Sequence, residues 1–156
     1  AYVGIKMEYA NAPQEYKRRF RDVNVSICTD GEALDSGYTL ARGRQTPTGL
    51  ATQLLRRGAV VWSSTTPADV MPPSGQGHRQ WLALGLEKHG ADITVLIDER
   101  QVSTYHDPEP LPGGHASVWT VNNGIVIGRV QYAAEQSTST HQAVQESLRP
   151  RERSTE

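Results

Sequence analysis

The sequence predicts an all-β chain folded as an antiparallel two-sheet sandwich, and three observations carry that prediction. Short segments in which apolar and polar residues alternate recur along most of the chain, and a period of two belongs to a strand with one buried face. Clusters of Gly, Pro, Asn and Asp separate these segments, as turns separate the strands of a sandwich. No stretch carries the apolar spacing of a helix, apart from a faint trace in "HQAVQESLR" near the end.

In order, Val3, Ile5, Met7 and Tyr9 alternate with Gly4, Lys6 and Glu8 to give a first strand. Pro13 and the charges of "NAPQEYKRRFR" end it, and "DVNVSICT" resumes with Val23, Val25 and Ile27 on one side. "DGEALDSG" is a turn, "GYTLARG" a third strand, and "ATQLLRRGAVVWSS" a hairpin. That hairpin closes near Arg57-Gly58, because Gly tolerates the positive φ of a tight turn. Residues 64–79, with three Pro and two Gly, read as an irregular loop. "QWLALGLEKHG" alternates Trp81, Ala83 and Gly85 against Leu82, Leu84 and Leu86, and Trp81 among these leucines reads as core. "DITVLIDE", "QVSTYHD", "HASVWTV" and "IVIGRVQYA" follow, joined at Asp98 to Arg100, at "DPEPLPGG" and at "NNG", the last suited to a type I′ turn. About ten strands thus fill residues 1–133, and residues 134–156 read as a polar tail or linker.

A length of 156 residues sets one domain with a sizeable core. With 37% hydrophobic residues, 21% charged and a net charge of −1, the chain has no field to attract nucleic acid or an anionic membrane. Cys28 is the single cysteine, so no internal disulfide forms, and its neighbours suggest a small buried strand residue. No apolar run approaches the ~18 residues of a membrane span. The chain begins at Ala1 inside a strand pattern, which suggests a piece of a longer protein with further domains. Its compartment stays open, an extracellular or periplasmic one included.

The order of elements in the second half resembles the concanavalin A-like lectin/glucanase superfamily, including LamG-like domains. The matching positions are Trp81, then Ile93, Val95, Ile97 and Asp98, then Tyr105, Asp107, Pro108 and Pro110, then Gly113, Gly114, Trp119, Asn122, Asn123 and Gly124. Glu99 stands where such domains have Gly after the turn Asp. "DVNVSICTDGEALDSGYTLARG" and "LLRRGAVVWSS" are similar to the earlier strands, so the resemblance covers roughly residues 20–132. It implies a jelly roll of two curved antiparallel sheets, with a concave face that binds or cleaves glycans in relatives. A fold of this kind hosts many functions, so the site needs its own argument.

Retaining glucanases of that superfamily carry E-x-D-x-x-E on one strand face, because nucleophile and acid stand about 5 Å apart. The pattern is absent, and no catalytic residue is assigned. Asp98 and Glu99 at a hairpin tip, and Asp107 and Glu109 around Pro108, read as turn formers in solvent. His78, His89, His106, His115 and His141 show no zinc-ligand spacing. No cofactor is implied beyond one structural calcium, for which Asp30, Glu32 and Asp35 cluster in a loop; an Asp-Gly turn explains them equally well.

Sugar binding needs aromatic rings for the apolar face of a pyranose and planar polar groups for its hydroxyls. The candidates are Tyr38, Trp62, Tyr105 and Trp119, with Arg44, Arg56, His106, Asn122 and Asn123 as polar partners. Trp62 continues the face of Val60 and reads equally as core; Trp119 shares a mixed face with Ser117 and Val121. The expectation is a non-catalytic carbohydrate-binding or interaction module with a glycan or protein partner. The alternatives are a glycoside-processing hydrolase of the 3-keto-disaccharide hydrolase type and a purely structural sandwich domain.

Overall fold

Alternation along the second strand sends Val23, Val25 and Ile27 into the interior, all buried, and the same rule assembles the rest. The structure, a computed structural model, describes residues 2–7, 22–70, 81–121 and 125–134. The strands are β1 (Tyr2–Met7), β2 (Val23–Thr29), β3 (Tyr38–Thr46), β4 (Gly49–Arg56) and β5 (Ala59–Ser64), then β6 (Trp81–His89), β7 (Asp92–Ile97), β8 (Arg100–His106), β9 (His115–Trp119) and β10 (Ile125–Gln131). They form two antiparallel five-stranded sheets, ordered β10-β1-β6-β7-β8 and β5-β4-β3-β2-β9. Among the described residues there is no helix, hence none long and apolar enough to cross a membrane. The predicted antiparallel β-sandwich is the observed fold.

The core lies between the sheets. One contributes Leu82, Leu84, Leu86, Ile93, Val95 and Ile97, the other Val23, Val25, Ile27, Tyr38, Leu40 and Leu54, with Leu111 closing one end. Burying each of the Leu, Ile and Val side chains among these contributes about 1.5–3 kcal/mol. Because Leu82, Leu84 and Leu86 take the inner face of β6, Trp81 is on the outer face and 58% exposed. The reading of Trp81 as core is corrected here: its alternation with the leucines places it opposite them, and a strand side chain cannot share both faces.

Tight hairpins set the registers. Arg57 (φ 48°) and Gly58 (φ 77°) join β4 to β5, and Asp98 (φ 49°) and Glu99 (φ 65°) join β7 to β8. Positive φ at both central residues is the type I′ geometry that follows strand twist. Glu99 therefore takes the left-handed conformation without the glycine that usually relieves it. β3 continues past Gly43, where the sequence suggested its end, through an irregularity between Ala41 and Arg44. A second irregularity, between Leu54 and Leu55 where β4 meets β5, pairs Val60 with Leu55 but Trp62 with Leu54. Leu54 is core, so Trp62 turns toward the interior while Val60 stays outside, 50% exposed.

Candidate functional site

A groove runs over the outer face of the second sheet. On β2 the residues between Val23, Val25 and Ile27 are Asn24 and Ser26, and β3 adds Thr39 and Ala41. These side chains are small, and larger ones stand around them. Trp119 pairs with Asn24 on β9, Arg44 pairs with Ala51 beyond the β3 irregularity, and Gln45 follows. The resulting cavity of ≈ 360 Å³ is lined by Asp22, Asn24, Asp35, Thr39, Arg44, Gln45, Leu55, Trp119 and Val121, among others.

Hydrogen bonds fix its floor. Trp119 Nε1–H donates to Ser26 Oγ at 2.9 Å, and Ser26 Oγ lies 2.9 Å from Thr39 Oγ1. Since the indole N–H can only donate, the Ser26 hydroxyl accepts there and its own hydrogen is available to Thr39. Asn24 Nδ2 donates to Asp22 Oδ2 at 2.7 Å, and the Val121 amide donates to the same oxygen at 3.2 Å. Thr120 Oγ1 donates to the Asp22 carbonyl at 2.6 Å. The indole edge and the Asn24 amide are thereby held in fixed orientations, while Arg44 and Gln45 are exposed at the rim.

Of the expected binding residues, the structure brings Arg44 and Trp119 to this groove. Tyr38 is fully buried in the core, and Arg56 is tied to the chain after β8, so neither faces the groove. Trp62 and Tyr105 pack against the core cluster. His106 is on the other sheet, its Nδ1 2.7 Å from Asp92 Oδ1. Asn122 and Asn123 lie outside the described residues. Alternation could have found Asn24 and Thr39, whose strands show which face is core; Gln45 lies beyond the β3 irregularity, and Asp22 and Asp35 carry no such signal.

One carboxylate needs correction. Asp107 was read as a turn former in solvent, but it is buried. Its Oδ2 accepts from Tyr38 Oη and from Arg56 Nε, each at 2.6 Å. Burial pushes this carboxyl up, yet the Tyr38 hydroxyl and Arg56 guanidinium outweigh it and hold the pKa below the usual range. Tyr38 moves the other way, pushed up to about 12 by burial and then by the bond to Asp107. Asp69, in the loop after β5, is likewise buried. Against its burial, Arg100 Nη2 at 2.6 Å and Ser64 Oγ at 2.8 Å lower its pKa.

In the Asp30 loop, Asp30 Oδ1 accepts the amides of Glu32 and Ala33, each at 2.9 Å. Those bonds close a turn, and among the described residues no three His, Cys, Asp or Glu side chains are grouped to hold a metal. Cys28 is half-buried, and burial pushes its thiol pKa up, away from the thiolate that reactive cysteines need. Compared with known family models, curated proteins and solved structures, the chain matches none.

Proposed function

We propose that this chain is a non-catalytic carbohydrate-binding module of the concanavalin A-like lectin/glucanase type, binding glycan in the groove beside Trp119. One observation carries the reading: an indole, a fixed amide and exposed Arg44 and Gln45 converge on one cavity over a hydrogen-bonded floor. An indole takes the C–H face of a pyranose, and amide and guanidinium groups take its paired hydroxyls. A cavity of ≈ 360 Å³ falls in the ordinary range for small-ligand sites. The two-sheet antiparallel architecture is compatible with that superfamily and supports the assignment.

A glycan array probed with the full chain tests this. Binding is expected to fall about tenfold or more in Trp119→Ala, with thermal unfolding of the variant followed in parallel. Absence of any bound glycan, or binding that survives loss of the ring in a folded variant, overturns the proposal. Asp22 and Asp35 both line the groove, and this favours a glycoside-processing hydrolase as the second reading. Turnover of keto-disaccharide or chromogenic glycosides that is lost in Asp35→Asn would establish it.

A further inference from the structure

We propose a second sugar-binding site on the opposite sheet, built on Trp81, that takes a neutral pyranose ring. It shares no residue with the groove around Trp119 and does not rest on that reading.

The site follows from strand alternation and one glycine. With Leu82 and Leu84 turned inward, Trp81 projects from the outer face of β6. β1 lies between β6 and β10, and the indole reaches across it to β10. A Cβ built on Gly128 would lie 2.7 Å from Trp81 Cζ3 and 2.8 Å from its Cη2. The six-membered ring thus rests against the bare backbone of Gly128, a position that any other residue would contest. Backed in this way, the indole still leaves 58% of the residue's surface open to solvent. Such a ring is backed by main chain on one side and available to solvent on the other.

Beside it lies a cavity of ≈ 510 Å³, lined also by Ala83, Asp98, Glu99 and Arg129. Ala83 keeps the floor low, and its cross-strand partner on β1 is Gly4. Arg129 comes from β10, and Asp98 and Glu99 come from the β7–β8 hairpin, whose positive φ values present them at its tip. Asp98 is anchored: its amide donates to the Ala83 carbonyl at 2.7 Å, and its Oδ1 accepts the Ala83 amide at 3.0 Å. One aromatic wall with a guanidinium and carboxylates is the chemistry of a hydroxylated ring, with C–H groups on the indole and hydroxyls on the charged groups. A quaternary ammonium is disfavoured, because cation capture uses a cage of several aromatic faces, and here one indole stands beside a cationic Arg129.

The three tryptophans make the test direct. The full chain with ¹⁵N-labelled indoles is titrated with cellohexaose, laminarihexaose and mannohexaose, and each indole resonance is assigned by substitution. A saturable shift of the Trp81 resonance by at least one hexaose is expected, and it persists in Trp119→Ala. Gly128→Ala keeps the ring but lifts it from the strand, so the same hexaose should bind about tenfold more weakly. The proposal is overturned if no hexaose moves the Trp81 resonance, if the shift disappears in Trp119→Ala, or if Gly128→Ala leaves affinity unchanged. It is also overturned if tetramethylammonium moves that resonance and the hexaoses do not. A response of Trp119 alone would leave the groove reading standing and remove this one.

Discussion

The Tyr38 hydroxyl donates to Asp107 Oδ2 at 2.6 Å, across 69 residues of sequence. The same hydroxyl accepts the Leu111 amide at 2.9 Å, and Arg56 Nη2 reaches the Glu109 carbonyl at 2.6 Å. Together these bonds fasten the chain after β8 to the second sheet, so the Pro-rich segment is pinned at both Asp107 and Leu111. Tyr38→Phe removes the hydroxyl from a buried site. It should cost about 1–3 kcal/mol, because a buried carboxylate and an amide each lose a partner. Urea unfolding would show a lower midpoint with unchanged slope; a variant as stable as the parent would mean the bonds contribute nothing net.

Acid should destabilise the fold through Asp107 and Asp69. Both carboxyls have pKa values below the ordinary one, so the folded state binds these protons less readily than the unfolded chain. Their contribution is therefore complete above the ordinary carboxylate pKa of about 3.9. It is lost as pH falls from there through the folded-state values. Stability followed between about pH 6 and pH 2 should drop less steeply in Asp107→Asn and Asp69→Asn than in the parent. Parallel curves for parent and variants would refute the assignment.

Base acts in the opposite sense at Tyr38. Its pKa in the folded protein is pushed up to about 12, against about 10 for a free phenol. Stability from this group is complete below about pH 10 and is lost as pH rises toward about 12, because the unfolded phenol ionises first. In an ultraviolet titration of phenolate, one of the six tyrosines should ionise late or only with unfolding, and Tyr38→Phe should remove that late step.

The strands were legible because one physical signal, alternation against a core, fixes both their existence and their inward face. Val23, Val25 and Ile27 needed nothing else. Trp81 was misread by its hydrophobicity, though the same alternation placed it outside. What stayed illegible depends on pairings distant in sequence. Nothing near Asp107 announces Tyr38 or Arg56, and Asp69 finds Arg100 only when the β7–β8 hairpin folds back. Trp62 was ambiguous because the irregularity that turns it inward has no local mark. The groove was half legible: Trp119 and Arg44 could be named, but their company with Asp22 and Asn24 required the β2–β9 pairing.

Arg42 and Asp98 make an unequal pair. Arg42 is on the core face of β3, only 4% exposed, with Nη1 3.5 Å from Asp98 Oδ2. Neither Nε nor Nη1 has a hydrogen-bond partner among the described residues. Burial pulls the guanidinium pKa down, and Asp98 opposes it. Removing the carboxylate leaves a buried cation, so Asp98→Asn should cost about 1–3 kcal/mol, the lower end reflecting its half-exposed side chain. Arg42→Met exchanges the cation for an apolar chain of similar length and should stay within about 1 kcal/mol of the parent. Denaturant unfolding ranks the two, and a more damaging Arg42→Met would show that the guanidinium itself stabilises the fold.

Among the described glycines, Gly37 is the one where substitution should be least tolerated. Cys28, directly across from it, has φ 58° within β2. A Cβ on Gly37 would lie 2.1 Å from the Ile27 carbonyl oxygen and 2.7 Å from the Cys28 carbonyl oxygen. Both are main-chain atoms of a buried strand, so no side-chain rotation relieves the overlap. The Gly37 carbonyl also accepts the Arg57 amide at 2.8 Å, which resists displacement of β3. Gly37→Ala should therefore cost about 3 kcal/mol or more, in the range of severe overpacking. Gly113, with nothing within 4 Å of a built Cβ, is the control, and Gly113→Ala should fall within about 0.5 kcal/mol of the parent. Equal unfolding midpoints for the two variants would show that β2 and β3 can part at Cys28 without loss.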